Sequence, residues 1–429
     1  MPHRARGPYA ALLAIAATGC AGVRQPELSF GGRLREQFEH YTNRDFGLSP
    51  PEHDTYLLHR LLVNGRASWD DAIAVDVELI NALAPFKESE IAPIDENALG
   101  VQRAHVDVRP DGDLRLRLGR QELQLGRGRL VSVREGPNVR RNFDGARLTI
   151  GDPTNGAGLD AFALFPVEPA RRVFDDEVDG DEFFWGAQAA TTPIDESAVG
   201  PGRLETYYLG RYRDRARYDA VVGSEHRHSF GVRWAGPVWA DATGLRVDFE
   251  AVAQVGRVGD RDIAAWTASS SWTRPFDTVP WRPKPGVRLD VISGDPDPDD
   301  GTLETFDALY PNNSYFSEAA IFAPANLFDV NASFACAPRD DLSVELLWDF
   351  LWRYATDDGV YVPPGIPAIA GDASDRRFLG HSISLNVTWQ VRDDVDATAT
   401  FTHFEAGAVV EDAGGRDVDS VAAWVNWRF

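Results

Sequence analysis

Hydrophobic and polar side chains alternate with a period of two along most of the chain. Leu114, Leu116 and Leu118 are separated by Arg115 and Arg117, and Leu342, Val344, Leu346, Trp348, Phe350 and Trp352 form the longest such apolar row. A period of two puts successive side chains on opposite faces of a strand, so each segment has one apolar and one polar face. The same rhythm runs through Leu28 to Glu39, Leu57 to Arg66, Ile73 to Leu79, Arg103 to Val108, Ala146 to Ile150 and Leu159 to Phe165. It continues near Glu182–Ala190, Leu204–Tyr212, Ser229–Ala235, Leu245–Val255, Ile263–Trp272 and Val287–Ile292. The remaining candidates are Leu327–Cys336, Leu342–Tyr354, Phe378–Trp389, Val395–Phe404 and Val421–Phe429. The count comes to about 18 strands, spaced for one large antiparallel closed sheet.

The connections alternate in length. Ser68–Asp71, Pro110–Asp113, Ala337–Asp341 and Val391–Asp394 are short, whereas Arg44–Asp54, Pro166–Gly180, Ser293–Pro324 and Thr356–Asp375 are long. Short turns at one rim and long loops at the other fit a barrel that crosses an outer membrane. Three connections depart from the rule: Thr192–Gly202 and Arg274–Gly286 are long, and Gly256–Arg261 is short. The chain ends on Ala423, Val425, Trp427 and Phe429, an outward row closing on an aromatic residue that resembles the sorting signal of outer-membrane barrels.

Composition sharpens this reading. Mean hydropathy is −0.30, and the longest apolar run, Ala10 to Ala17, is far below the roughly 20 residues of a spanning helix. A closed barrel needs no such run, because strands of about 10 residues span with one face polar. His3, Arg4 and Arg6, the apolar Tyr9 to Ala17 and the small residues Gly19-Cys20-Ala21 read as a secretory signal. The expected organisation is therefore a signal peptide over 1–21 and a single transmembrane all-β barrel over 22–429. Cys20 is also placed for lipidation, and Cys336 has no partner after processing, so no disulfide is expected. A net charge of −23 disfavours nucleic acid as a partner.

Against that negative background, Asp113 to Ile150 carries nine arginines and four acids, locally +5. All but two of the 43 basic side chains are arginine (Lys87 and Lys284 are the exceptions), so the clustering is informative and the residue type is not. A solute crossing a narrow pore sheds hydration that the wall must replace. Arginine supplies charge and two parallel N–H donors for a carboxylate. The candidates for a lumen that binds anions are Arg33, Arg35, Arg60, Arg115 and Arg117 on strands, and Arg120, Arg134, Arg140, Arg141 and Arg147 on the constriction segment. Asp76, Glu78, Asp107, Glu135 and Asp144 are expected to hold these arginines in place.

Other chemistry finds little support. Asp295, Asp297, Asp299, Asp300 and Glu304 fail the EF-hand pattern, because Asp300 stands where glycine is required, and a solvated acidic loop is expected instead. His226 and His228 lack a third metal ligand. No nucleophile elbow is present. Neither a metal, a cofactor nor an enzymatic activity is expected.

Two blocks carry a resemblance. Gly119-Arg120-Gln121-Glu122-Leu123, Val133 to Arg141 (VREGPNVRR) and Phe143-Asp144-Gly145, with SGDPDPDDGTLETFDALYP from Ser293 to Pro311 and Ala323 to Leu327, resemble the alginate-export family of outer-membrane porins. The resemblance implies an 18-stranded monomeric barrel in a Gram-negative outer membrane, passing an acidic polysaccharide through an arginine-lined constriction. The expected partners are outer-membrane lipid, the anionic polysaccharide and a periplasmic export scaffold. Two alternatives stay open: a diffusion porin admitting small anionic solutes, and a non-conducting barrel serving as adhesin or enzyme.

Overall fold

The computed structural model describes residues 25–192, 194, 202–238 and 244–429. The signal segment 1–21 with Cys20, and part of the Thr192–Gly202 connection, lie outside the described residues. Eighteen long antiparallel strands are found among those described. They are β1 (Glu27–Thr42), β2 (His53–Trp69), β3 (Ile73–Leu83), β4 (Asn97–Asp111), β5 (Leu114–Gln121) and β6 (Phe143–Gly151). Then come β7 (Gly158–Glu168), β8 (Glu182–Ala190), β9 (Arg203–Arg217), β10 (Val222–Pro237), β11 (Arg246–Val258) and β12 (Arg261–Thr273). The last six are β13 (Lys284–Ile292), β14 (Leu327–Arg339), β15 (Leu342–Arg353), β16 (Phe378–Arg392), β17 (Val395–Ala406) and β18 (Val418–Arg428).

Each strand pairs with its sequence neighbours, and β1 closes the sheet on β18 through a register running from Arg33↔Arg428 to Thr42↔Asp419. Closure removes every edge, which a sheet in hydrocarbon requires. The apolar row of β15 faces outward, with Leu346 45% and Trp348 44% exposed. That much bare apolar surface is stable only against lipid. Phe429 tucks its ring over Gly32, and the two residues exchange backbone hydrogen bonds of 2.8 and 3.1 Å.

Strands extend past the segments that alternation marks: Arg203–Arg217 replaces Leu204–Tyr212, and Val222–Pro237 replaces Ser229–Ala235. Beyond the lipid band both faces of a strand meet water or loops, so the hydropathy signal fades while the hydrogen-bonded ladder continues.

The interior departs further from a simple polar lumen. Phe162, Leu164, Phe184, Leu209, Val252 and Ile263 are buried on the inner face. They pack against two long loops that fold into the barrel, 122–142 and 293–326, through Leu123, Val131, Phe306 and Tyr310. Part of the barrel is thus filled by a conventional hydrophobic core, which offsets the entropy of ordering these loops. A cavity is left along β18, β1 and β2.

Candidate functional site

Loop 122–142 crosses the barrel as a strap. Gly126 (φ 50°) and Gly128 (φ 79°) turn the chain where a side chain would be strained, as the Gly-Arg-Gly sequence predicts. From there a parallel bridge joins Val131 to Tyr310 on loop 293–326, with Ser132 N–H on Tyr310 O at 2.9 Å and Tyr310 N–H on Leu130 O at 2.8 Å. Tyr310 is wedged edge-on against Phe143 (5.2 Å) and Phe184 (4.8 Å). Toward the strap's other end Asn138 is fully buried and donates to the carbonyls of His59 (3.0 Å), Leu83 (3.0 Å) and Asp95 (2.9 Å). Both ends of the strap are therefore pinned.

The tip of the strap, Glu135-Gly136-Pro137, is gripped by arginines from the wall. Arg35 donates to the carbonyls of Glu135 (2.8 Å), Gly136 (3.1 Å) and Pro137 (3.3 Å). Arg60, 1% exposed, reaches the same carbonyls of Glu135 and Pro137 at 3.3 Å and the Glu135 carboxylate. Arg33 (3.3 Å) and Arg140 (3.2 Å) complete the ring about that carboxylate. Burial alone would raise the Glu135 carboxyl, but Arg60, Arg140, Arg33 and Arg35 outweigh it and hold it at about 2.

Most of the remaining predicted arginines are occupied as well. Arg117 forms a two-bond pair with Asp107 (2.7 and 2.9 Å), Arg120 with Asp144 (2.9 and 3.1 Å) and Arg147 with Asp160 (3.1 and 2.7 Å). Arg127 reaches Asp248 at 3.2 Å and Arg129 reaches Glu250 at 3.0 Å, each 121 residues away. Arg140 also meets Glu78 and Glu122 at 3.0 and 2.9 Å. The local surplus of five charges is thus largely neutralised by acids from other strands, which the segment's own composition does not reveal. Of the expected arginine-holding acids, Asp76 stands 3.7 Å from Arg103 and Glu78 2.9 Å from it.

Among the described residues, three of the nine arginines in this stretch have no carboxylate within ion-pair distance: Arg115, Arg134 and Arg141. Arg115 donates to Thr149 Oγ1 at 3.3 Å. Arg141 lies 4.8 Å over the Tyr310 ring. Arg134 is 5% exposed, its Nε has no hydrogen-bond partner, and its backbone takes the left-handed φ of 56° that non-glycine residues avoid. Burial and then the charge of Arg141 press its pKa down to about 9. Guanidinium retains its proton at neutral pH under such a shift, so Arg134 is a charge in want of a counter-ion.

Arg134 and Arg35 both line a cavity of about 530 Å³ between the strap and the β18–β1–β2 wall. Sequence reasoning missed the rest of its polar lining: Gln37, Glu39, Tyr41, Arg44, Asp45, Tyr56 and Asp95, Glu318 and Asn312 to Ser314 from the second loop, and Trp424 and Asn426. Tyr41 continues the inward parity of Arg33 and Arg35, so that row could have been extended; the loop residues leave no such trace. Burial lifts the Glu318 carboxyl above its usual range, although Arg35 opposes it. On the far wall Arg288 holds Asp290 (2.8 Å), Asp329 (2.9 Å) and Asp349 (3.0 Å), three acids about one cation. The strand walls thus differ: β1 and β2 turn Arg33, Arg35 and Arg60 inward, whereas β13 to β15 turn Asp290, Asp329 and Asp349 inward around Arg288.

The other candidates resolve simply. Asp295 is 2% exposed, not solvated as expected, and the aspartates cap their own turns: Asp295 accepts from Asp297 N–H (3.3 Å) and Asp300 from Thr302 N–H (2.7 Å). His226 and His228 face outward, in aromatic contact with Tyr212 and Tyr208. No group of His, Cys, Asp and Glu suited to a metal occurs among the described residues.

An eighteen-stranded barrel with an apolar girdle and a lumen narrowed by inward loops is an outer-membrane channel of the Gram-negative cell envelope. The alginate export family model matches residues 26–424, and the chain belongs to that family. Solved barrels share the fold. OccD3 (OpdP) of Pseudomonas aeruginosa superposes with a TM-score of 0.62 at 14% identity, over 96% of this chain and 93% of that one. OccAB1 of Acinetobacter baumannii gives 0.60 at 13%, over 94% and 96%. OccK2 (OpdF) of Pseudomonas aeruginosa, solved in complex with glucuronate, gives 0.60 at 10%, over 94% and 96%. No curated protein sequence matches the chain.

Proposed function

We propose that this channel passively exports an acidic, alginate-like polysaccharide and prefers anions to cations. The observation that carries the reading is Arg134: a buried guanidinium with no carboxylate beside it, on the strap, lining the cavity. A carboxylate passing the strap supplies the missing counter-charge, and the arginine-held carbonyls of Glu135 to Pro137 keep the opening at fixed width. Family membership supports a polymer as cargo. Arg33, Arg35 and Arg140 contribute positive charge to the passage, while Arg60, Arg115, Arg117, Arg120 and Arg147 set the wall beneath it. The protein acts as a monomer, and a periplasmic scaffold delivers the polymer to the short-turn rim.

A second reading, uptake of small anionic solutes, draws on the neighbour solved with glucuronate. Planar-bilayer recording separates the two. Export predicts anion-selective reversal potentials and a current blocked by alginate oligomers at far lower concentration than by monomeric uronate. Equal block by monomer and oligomer at equal carboxylate concentration favours uptake, and cation selectivity removes both.

A further inference from the structure

One tryptophan of the barrel wall faces the cavity and not the lipid. We propose that Trp424 is a stacking platform for a sugar ring inside the passage, selecting cyclic carboxylates over open-chain ones of equal charge. This deepens the channel reading and rests on it.

The register fixes the direction of the indole. Trp424 lies opposite Gln37 of β1 and Thr398 of β17, and Asn426, two residues on, lies opposite Arg35. Residues directly opposite in an antiparallel pair share a face, so Trp424 points inward with Gln37 and Arg35, and it lines the same cavity as Arg134. The other described strand tryptophans, such as Trp266, Trp348 and Trp427, stand outward, where indole anchors a barrel at the lipid boundary. That role is closed to a side chain in the lumen. No aromatic ring of the described residues stacks on it, and it lines the cavity.

The surroundings suit a pyranose acid. A flat apolar ring and hydrogen-bonding neighbours together recognise a molecule that is apolar on one face and hydroxylated at its edge. Gln37, directly opposite on β1, and Asn426, two residues on along β18, line the same cavity. Arg35 is a diagonal neighbour on β1, and Arg134 stands across the cavity on the strap. A ring seated on Trp424 thus brings its carboxylate towards guanidinium and its hydroxyls towards the amides of Gln37 and Asn426.

The test uses the purified full chain in planar bilayers, with glucuronate (cyclic) and gluconate (open-chain) as probes of equal charge and carbon number. In the unmodified protein, glucuronate should block at a concentration on the order of two- to tenfold lower than gluconate. W424A should bring that ratio to about one and W424F should retain most of it, with reversal potentials unchanged in both. W424L, which keeps bulk without an aromatic face, serves as the second variant and should behave as W424A does. An unaltered ratio in W424A or W424L, or no discrimination by the unmodified protein, overturns the assignment. Loss of anion preference in the unmodified protein would instead sink the channel reading, because reversal potential and block ratio are measured separately.

Discussion

Removing the charge of Arg134 is the perturbation most directly tied to the mechanism. Its guanidinium lines the cavity without a carboxylate, so R134Q deletes one uncompensated positive charge and leaves no acid exposed. At about 4 Å in water a unit charge attracts an anion by ~1 kcal/mol and repels a cation by as much, separating the two by ~2 kcal/mol. Screening at about 0.1 M salt, with a Debye length of about 10 Å, removes roughly a third of this. The remaining ~1.3 kcal/mol corresponds to about a ninefold fall in the anion-to-cation permeability ratio. Reversal potentials across a salt gradient measure that ratio, with R134K as the charge-retaining control. A second control, the double variant R117Q/D107N, deletes a neutral pair and should leave the ratio where it was. If R134Q reverses at the same potential as the unmodified channel, the preference does not arise at the strap and the argument fails.

The strap's rigidity is tested by N138A, which strips a shared donor from three buried carbonyls; a loss of about 2 kcal/mol should appear as open-channel noise and not as unfolding, and a quiet trace would show that Asn138 is dispensable. On the lipid face, L346R should lower barrel stability by about 2–4 kcal/mol, read as a shifted urea midpoint in lipid vesicles, with no shift expected if this face met water. Loop 293–326 should loosen with rising pH. Burial first, then Asp358 and Asp300, lift Asp295 to about 6 from its unfolded value near 3.8. The folded loop therefore holds a proton that the unfolded loop gives up, and its stability falls between about pH 4 and 6. Limited proteolysis of this loop should be slower at pH 5 than at pH 7.5, and D295N should abolish the difference.

Arginine placement shows how far the sequence can be read. Leu116 outward and Arg117 inward follow from strand parity, and the structure keeps both. Arg117 then proves to be locked on Asp107, and Arg120 on Asp144. Arg134 and Arg141 sit in the same run of arginines, yet one lines the cavity and the other lies over Tyr310. No local pattern distinguishes them, because what differs is the remote group that each meets.

The chain by itself determined the barrel, since a two-residue hydropathy period and alternating connection lengths suit a lipid-clad sheet closed on itself. It also marked the segment that narrows the lumen, through its glycines and its density of charge. Only the tertiary structure decided which positive charges stay uncompensated: Arg129 meets Glu250 from 121 residues away, while nothing arrives to meet Arg134. Periodicity is a local property that the backbone imposes residue by residue, whereas charge compensation depends on distances that exist only once the loops have packed inside the barrel.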